Sequence, residues 1–564
     1  MVRNRSTQCF AAATALTCCV FVRHARAQRP SDVDVHDLVQ QAVQRVAPGS
    51  QVGSVPAAQV GAGNQPSATL SLEDTIKLTL DRNLNIAVQR LNPEVNDLAY
   101  RNLFVSSYHP VMTSTLTEQS ATSAPTSVLT LGQTSAAPVA GTLTYNAGLT
   151  ENVYWGGGTA SAAFNNYRQT STSNTITYNP LFNSTWSFAY TQPVPLLSQN
   201  VVTDPNREAI WIQKVNKDMS DTTLRATIEN TVANVENAYW EYAYAVDAVR
   251  VAQDSVAIAH QLVVDNQTRV DVGTMTPLDT LTAQSQEAAA TQLLVAAQST
   301  RRNNEIALKQ FIVGGTDDPN WNVTIVPNDH PDFAPQPIDL DAAVRQALSQ
   351  RTDLELSKQT LQINDISLRY LGDQLKPTVN LVARYQATGI GGPALERGTS
   401  TLGSAITQTV PGGIGNAFST LFGRDYPTWS LGLTVSYPFL QNTQQVTLAR
   451  ARVQESQVRT QLKQQQLQVA TEVTTAVIAV DNAVQAVQAG QVASDLAQRE
   501  YDAEQAKFDI GTSTNYNVVL AQQTLSTAKQ SLLRAIANYR EALVGLDRAQ
   551  KTTLTTASIQ IVGR

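Results

Sequence analysis

The side chains that ordinarily carry chemistry are few and scattered in this 564-residue sequence. Beyond the first 27 residues the histidines are His36, His109, His260 and His330, far apart and without metal-ligand spacing. Gly156-Gly157-Gly158 lacks the Lys-Ser/Thr that completes a phosphate-binding loop. Ser526-Thr527-Ala528-Lys529 fits an S-x-x-K pattern, but its companion motifs are missing and it sits on a periodic helix, where a solvated face is the better reading. Four methionines are too few for a thioether relay of soft metals. No catalytic, cofactor-binding or metal-binding residue is therefore named, and the chain reads as a non-enzyme. What does recur is a pair of turns, Val272-Gly273-Thr274 and Ile510-Gly511-Thr512. Just past the first stands Asp279, and the matching residue past the second is Asn517. A carboxylate in the first turn of a helix also suits the helix dipole, so a solvated capping residue is the plain alternative for Asp279.

The elements that carry those turns follow from composition and periodicity. Forty Lys and Arg stand against 46 Asp and Glu, a net charge of −6, and charged residues make only 15% of the chain, against roughly 25% in soluble domains. No basic stripe stands out, which argues against a nucleic-acid partner. Arg3 and Arg5 lead into a 14-residue, mostly apolar run from Cys9 to Val22, followed by Ala25-Arg26-Ala27. This predicts a secretory signal over 1–27, too short to span a membrane as a helix, which takes about 20 residues. Its removal would take all three cysteines and leave 36 basic against 46 acidic residues, net −10. Packing, not disulfides, must then hold the exported chain. Ala15-Leu16-Thr17-Cys18 offers a lipid-anchor alternative, although the residues before the cysteine fit it poorly. No later stretch reaches 18 consecutive apolar residues, so no helical anchor is expected.

The chain repeats itself. Leu72 to Pro110 runs parallel to Leu340 to Pro377, at an offset of 268 until a single-residue slip near the end, so that Ile76 meets Val344, Leu80 meets Leu348 and Ile86 meets Leu354. Trp186 to Pro195 recurs as Trp429 to Pro438, and Asp271 to Thr276 as Asp509 to Thr514. Three blocks in one order predict two homologous halves, 70–312 and 340–548. A flexible leader over 28–69, a Pro-, Asp- and Asn-rich linker over 313–339 and a tail over 549–564 complete the chain. Each half reads as a helical segment of about 37 residues, then strands (111–192 and 378–437), a long helix (201–271 and 441–510) and a closing helix (277–312 and 515–548).

Leu224, Ile228, Val232, Val235, Tyr239, Tyr242, Val246 and Val249 step by threes and fours, as do Val469, Val473, Val477, Val480, Val484 and Val487. These are apolar stripes on single helix faces, close to a heptad seam. Seventy residues of helix reach about 105 Å, and the two shorter helices of a half stacked end to end match that length. The turns then sit at the far end of a rod, and Pro110, Pro195, Pro377 and Pro438 mark the junctions of helix with strand. Within the strands Val379, Leu381, Ala383 and Tyr385 alternate with Asn380, Arg384 and Gln386, and Leu431, Leu433 and Val435 with Ser430, Thr434 and Ser436. Alternation of this kind fits a membrane β-barrel and a soluble one-sided sheet equally. The export signal, the missing helical anchor and the rod favour the barrel.

The two halves, the junction prolines Pro195 and Pro438 and the paired Gly-Thr turns, each followed by Ala-Gln (Ala283-Gln284 and Ala521-Gln522), resemble the TolC-like outer-membrane efflux family over about 70–548. The resemblance implies a mainly helical fold with a membrane β portion: a trimeric outer-membrane β-barrel continued by a long periplasmic α-helical barrel, with two repeats per chain. It implies a homotrimer in outer-membrane lipid, a periplasmic adaptor protein contacting the tips Val272, Gly273, Thr274, Ile510, Gly511 and Thr512, and an inner-membrane pump of RND or ABC type. It places the tunnel constriction at Asp279 and Asn517. The family's constriction is acidic in both turns, whereas Asn517 and the following candidate Leu520 are uncharged. The family contributes four strands per protomer, whereas six candidates are readable here: 111–119, 142–152, 159–169 and 185–192, and two in the second half. The expected function is a passive exit duct of a tripartite efflux or type I secretion system, with an acidic interior that tolerates cations and energy supplied by the pump. A non-channel periplasmic coiled-coil spacer is the alternative.

Overall fold

The computed structural model describes residues 67–122, 124, 137, 139–173, 176–330, 333–335, 337–398, 405–437 and 443–556. The expected signal segment, most of the leader, the junction Pro438 and residues 557–564 lie outside the described residues.

In chain order the elements are β1 (Ser67–Leu70), α1 (Leu72–Arg82), α2 (Leu84–Tyr108), β2 (Val111–Thr122), β3 (Val139–Asn152), β4 (Thr159–Ser171), β5 (Leu181–Pro193), α3 (Pro205–Asp271) and α4 (Pro277–Ile312). After a 3-10 turn come β6 (Thr324–Pro327), α5 (Leu340–Gln350), α6 (Thr352–Asp373), β7 (Thr378–Gly391), β8 (Ala394–Arg397), β9 (Ile406–Val410) and α7 (Ile414–Gly423). The chain continues with β10 (Tyr426–Ser436), α8 (Thr443–Asp509), α9 (Asn515–Gln550) and α10 (Thr553–Thr556). It divides into two compact units. One takes in residues up to Glu94, Asp221–Leu354 and those from Gln465 on; the other takes in Val95–Ser220 and Glu355–Gln464.

The first unit is helical, and its core is the apolar stripes. Val232, Val235, Tyr239 and Tyr242 of α3 and Val469, Val473 and Val487 of α8 are fully buried, each worth roughly 1.5–3 kcal/mol of burial. Ile76 and Ile86 pack on Ile228, Val232 and Val235, while Tyr539 and Leu546 pack on Val477, Val480 and Val487. The segment expected as one helix from Leu72 is broken after Arg82. Asn83 Oδ1 accepts the backbone N–H groups of Asn85 and Ile86 at 3.0 and 3.2 Å, starting a new helix with a side-chain cap. The second half breaks at the matching residue Arg351, between α5 and α6. The linker 313–339 supplies β6, which pairs in parallel with β1. Two stripe tyrosines hold that pair: Tyr239 Oη donates to the Leu70 carbonyl (3.1 Å) and to Asp329 (3.0 Å), and Tyr242 Oη donates to the Ile325 carbonyl (2.5 Å).

The second unit holds one antiparallel six-stranded sheet, in the order β10-β7-β5-β4-β3-β2. All six candidate strands join it, so the surplus hairpin β3–β4 is part of the same wall. Its turn at Trp155–Gly158 lies at the end of the sheet where Pro110 and Pro195 connect to helices, because Val111 pairs with Thr150 and Thr159 with Thr191. The register fixes both faces. Leu116, Tyr145, Phe164, Trp186, Ala387 and Pro427 belong to one largely apolar face, which also carries Glu118, Glu151 and Arg168; Thr115, Asn146, Asn165, Thr185, Thr388 and Thr428 belong to the other. Edge strands β2 and β10 are exposed along their whole length. Sequence reading missed β8, β9 and α7. Helix α7 lies on the apolar face against β7 and β5, so close that a Cβ on Gly389 would come within 1.9 Å of the Ala417 carbonyl.

Candidate functional site at the hairpin tips

The tips are built by the same device in both halves. Helix α3 ends where Gly273 turns left-handed (φ 77°), its N–H bonding the Val270 carbonyl at 2.9 Å and the Thr274 N–H reaching back to Arg269 at 2.8 Å. Helix α8 ends likewise at Gly511 (φ 79°), whose N–H bonds Phe508 while that of Thr512 bonds Lys507. This is the glycine-terminated helix end that satisfies the last carbonyls. Each threonine hydroxyl adds a bond to the same carbonyl, Thr274 to Arg269 at 2.9 Å and Thr512 to Lys507 at 3.1 Å. The Gly-Thr pairs are thus explained first as helix stops. Val272 and Ile510 beside them are exposed.

Asp279 sits in the first turn of α4 and serves it. Its Oδ2 accepts the backbone N–H of Thr276 (3.3 Å) and the Thr276 hydroxyl (2.7 Å). Asn517, the third residue of α9, is exposed and donates to Ser513 Oγ at 3.3 Å.

Three residues that the sequence reading passed over join the two tips. Asn266 of α3, fully buried, donates to Asn515 Oδ1 at 2.9 Å, and Asn515 donates to the Asp279 carbonyl at 3.0 Å. Arg269 crosses from α3 to the end of α8. It donates to the Phe508 carbonyl (3.0 Å) and to Asp509 (3.2 Å), with its guanidinium 4.2 Å over the Phe508 ring. Beneath this clasp Leu262, Ala283, Phe508, Val518 and Val519 form an apolar cluster with Met275 and Tyr501. Lys507 of α8 and Ser513 in the turn after it hold Glu504 below the usual carboxylate range, the lysine bond being the larger cause. Neither Asn266 nor Asn515 recurs at the offset of 238, since their counterparts are Glu504 and Pro277. A polar residue on the apolar side of a stripe was the available signal.

Alongside the tip a groove of about 410 Å³ runs between α4 and α9, lined by Leu281, Tyr516 and Leu520 and crossed by a Gln523–Gln286 bond of 2.7 Å. At the strand–helix junctions the backbone ties Pro195 and Pro377 together: the N–H of Gln199 reaches the Pro377 carbonyl at 3.0 Å, and that of Val194 reaches Val379 at 2.8 Å. Asp204 caps α3 ahead of Pro205, accepting the N–H groups of Asn206 and Arg207, both at 2.9 Å. Pro110 lies between α2 and β2, where Asn152 donates to the Ser107 carbonyl at 2.9 Å. The Ser526 hydroxyl meets that of Ser255 at 3.0 Å, and His260 meets Glu287 at 2.7 Å. Among the described residues no cluster of three or more His, Cys, Asp or Glu could hold a metal ion, and no helix is long and apolar enough to cross a membrane.

Paired long helices, repeated tips and a sheet with one apolar face coincide with a family model, that of outer membrane efflux proteins, which matches residues 159–314 and 343–550. The chain belongs to the outer membrane efflux protein family. Its location is therefore the outer membrane, and its family is one of transport channels. Outer membrane protein TolC of Escherichia coli K12 is 24% identical over 350 residues, 61% of this chain and 66% of that protein, just under two thirds of its length. The Campylobacter jejuni CmeC outer membrane channel superposes with a TM-score of 0.58 at 13% identity, covering 87% of this chain and 90% of that one. The open state of the Neisseria gonorrhoeae MtrE outer membrane channel gives 0.56 at 14% identity, covering 85% and 88%. At such identities the superpositions speak for the fold alone: a helical barrel plus a β domain.

Proposed function

We propose that this outer membrane efflux protein is the passive exit duct of a tripartite export system, assembled as a homotrimer and reached from the cell interior through a periplasmic adaptor and an inner-membrane pump. The observation that carries the reading is the two-faced sheet. Its apolar face suits lipid and its hydroxyl- and amide-rich face suits water, while β2 and β10 present unpaired backbone edges that lipid cannot satisfy. Pairing of β2 of one copy with β10 of the next removes those edges. The exposed Val272, Leu278, Ile510 and Tyr516 around the turns suit an adaptor contact. Asp279 and Asn517 are the constriction candidates, with Asp279 contributing one carboxylate per copy. No phosphate-binding loop is present in the sequence, so the energy for transport comes from the pump. Extraction of outer membranes with mild detergent, followed by native mass spectrometry, tests the assembly. Three copies per particle are expected; a monomer recovered in the soluble periplasmic fraction would remove the duct.

A further inference from the structure

The face of the sheet assigned to water is nearly free of charge. Within the six strands of this sheet the only charged residues are Glu118, Glu151, Arg168 and Arg384. The register puts three of them on the apolar face: Glu118 pairs with Leu143, Leu143 with Arg168, and Glu151 with Ala160, all on the side of Tyr145 and Phe164. Arg384 alone lies on the opposite face, midway along β7, with Ala189 and Ser430 as its cross-strand neighbours. It is exposed, and among the described residues its side chain makes no ion pair or hydrogen bond.

We infer that Arg384 is the charge-selecting residue of the barrel lumen, a ring of guanidinium groups that favours small anions and anionic cargo. The inference rests on the duct reading. In a trimer the six-stranded sheets make an 18-stranded wall, a size class that keeps an aqueous channel. One unpaired cation per copy, at the same height on an otherwise neutral wall, sets the local potential, and rings of arginine or lysine favour anions in pores. The sign is opposite to that expected from the net −10 of the exported chain, because the acidic excess lies outside the strands. Across a wide lumen the effect must be salt-dependent, since the screening length is about 30 Å at 0.01 M but about 3 Å at 1 M.

The test is the reversal potential of the full-length protein in planar bilayers under a tenfold KCl gradient, for wild type, Arg384→Gln and Arg384→Glu, with Arg168→Gln as a charge control. Assembly of each variant is checked by native mass spectrometry. The chloride-to-potassium permeability ratio should fall in that order, by about threefold from wild type to Arg384→Glu at low salt. The differences should vanish near 1 M salt, and Arg168→Gln should match wild type. Should Arg384→Glu fail to assemble, Arg384→Gln against wild type decides. Equal ratios in conducting channels overturn the role of Arg384 and leave the duct. Absence of conductance in every protein overturns the duct reading and this inference with it.

Discussion

The buried amides of Asn266 and Asn515 meet at 2.9 Å, joining a helix of the first repeat to a helix of the second directly above the apolar cluster of the tips. Because Asn515 also donates to the Asp279 carbonyl, loss of Asn266 leaves polar groups without their partner in a site closed to water. Asn266→Ala is expected to cost about 1–3 kcal/mol locally. Amide hydrogen exchange over 501–525 should accelerate while exchange at the strands is unchanged. Unchanged protection at the tips would show that the amide pair does not hold them.

Arg269 combines a carbonyl bond, a carboxylate and an aromatic face on the end of α8. Arg269→Ala removes all three. Arg269→Lys restores charge but not the planar fork, so it should recover at most part of the loss. Limited proteolysis at the 510–514 turn reads this out, with Arg269→Ala cleaved several-fold faster than wild type and Arg269→Lys in between.

Gly273 and Gly511 have open space where a Cβ would go, so a substitution there meets backbone strain and no clash. Gly273→Ala should cost about 1 kcal/mol, and the pair with Gly511→Ala about twice that, seen in chemical denaturation. Gly273→Asn should cost less, since asparagine tolerates the left-handed region.

Glu236 lies on the stripe helix α3 and is almost wholly buried; burial, with Asp547 nearby, pushes its carboxyl up to about 7. Between about pH 4.5 and 7 the folded chain therefore holds a proton that the unfolded chain has released, and stability falls as pH rises through that window. Glu541 is shifted in the same direction, chiefly by burial. Glu236→Gln should match wild type near pH 5 and exceed it by up to about 3 kcal/mol at pH 8. Thermal melting across that range checks the slope.

Much of this was legible in the sequence because it is periodic. The stripes on α3 and α8 and the Gly-Thr stops are local patterns, and the repeat doubles each of them. The Asn83 break was hidden because a side-chain cap interrupts the helix without disturbing its apolar spacing. Strand β6 lay in a polar linker and gains its order from Tyr239 and Tyr242, residues far away in the chain. The clasp of Asn266, Arg269 and Asn515 was invisible for the same reason: its geometry exists only once four helix ends meet. Asp279 shows the limit of reading a site from one position, since its carboxylate has a capping task irrespective of any role in a constriction.

The central claim, a passive exit duct, is tested most directly by single-channel conductance of the detergent-extracted protein in planar bilayers, comparing wild type with Arg269→Ala, which loosens the tips, and Asp279→Ala. A small, stable conductance that rises severalfold in Arg269→Ala is predicted, with a rise in Asp279→Ala if its carboxylate also narrows the path. No conductance from any of the three, in protein that partitions as soluble, would contradict the account.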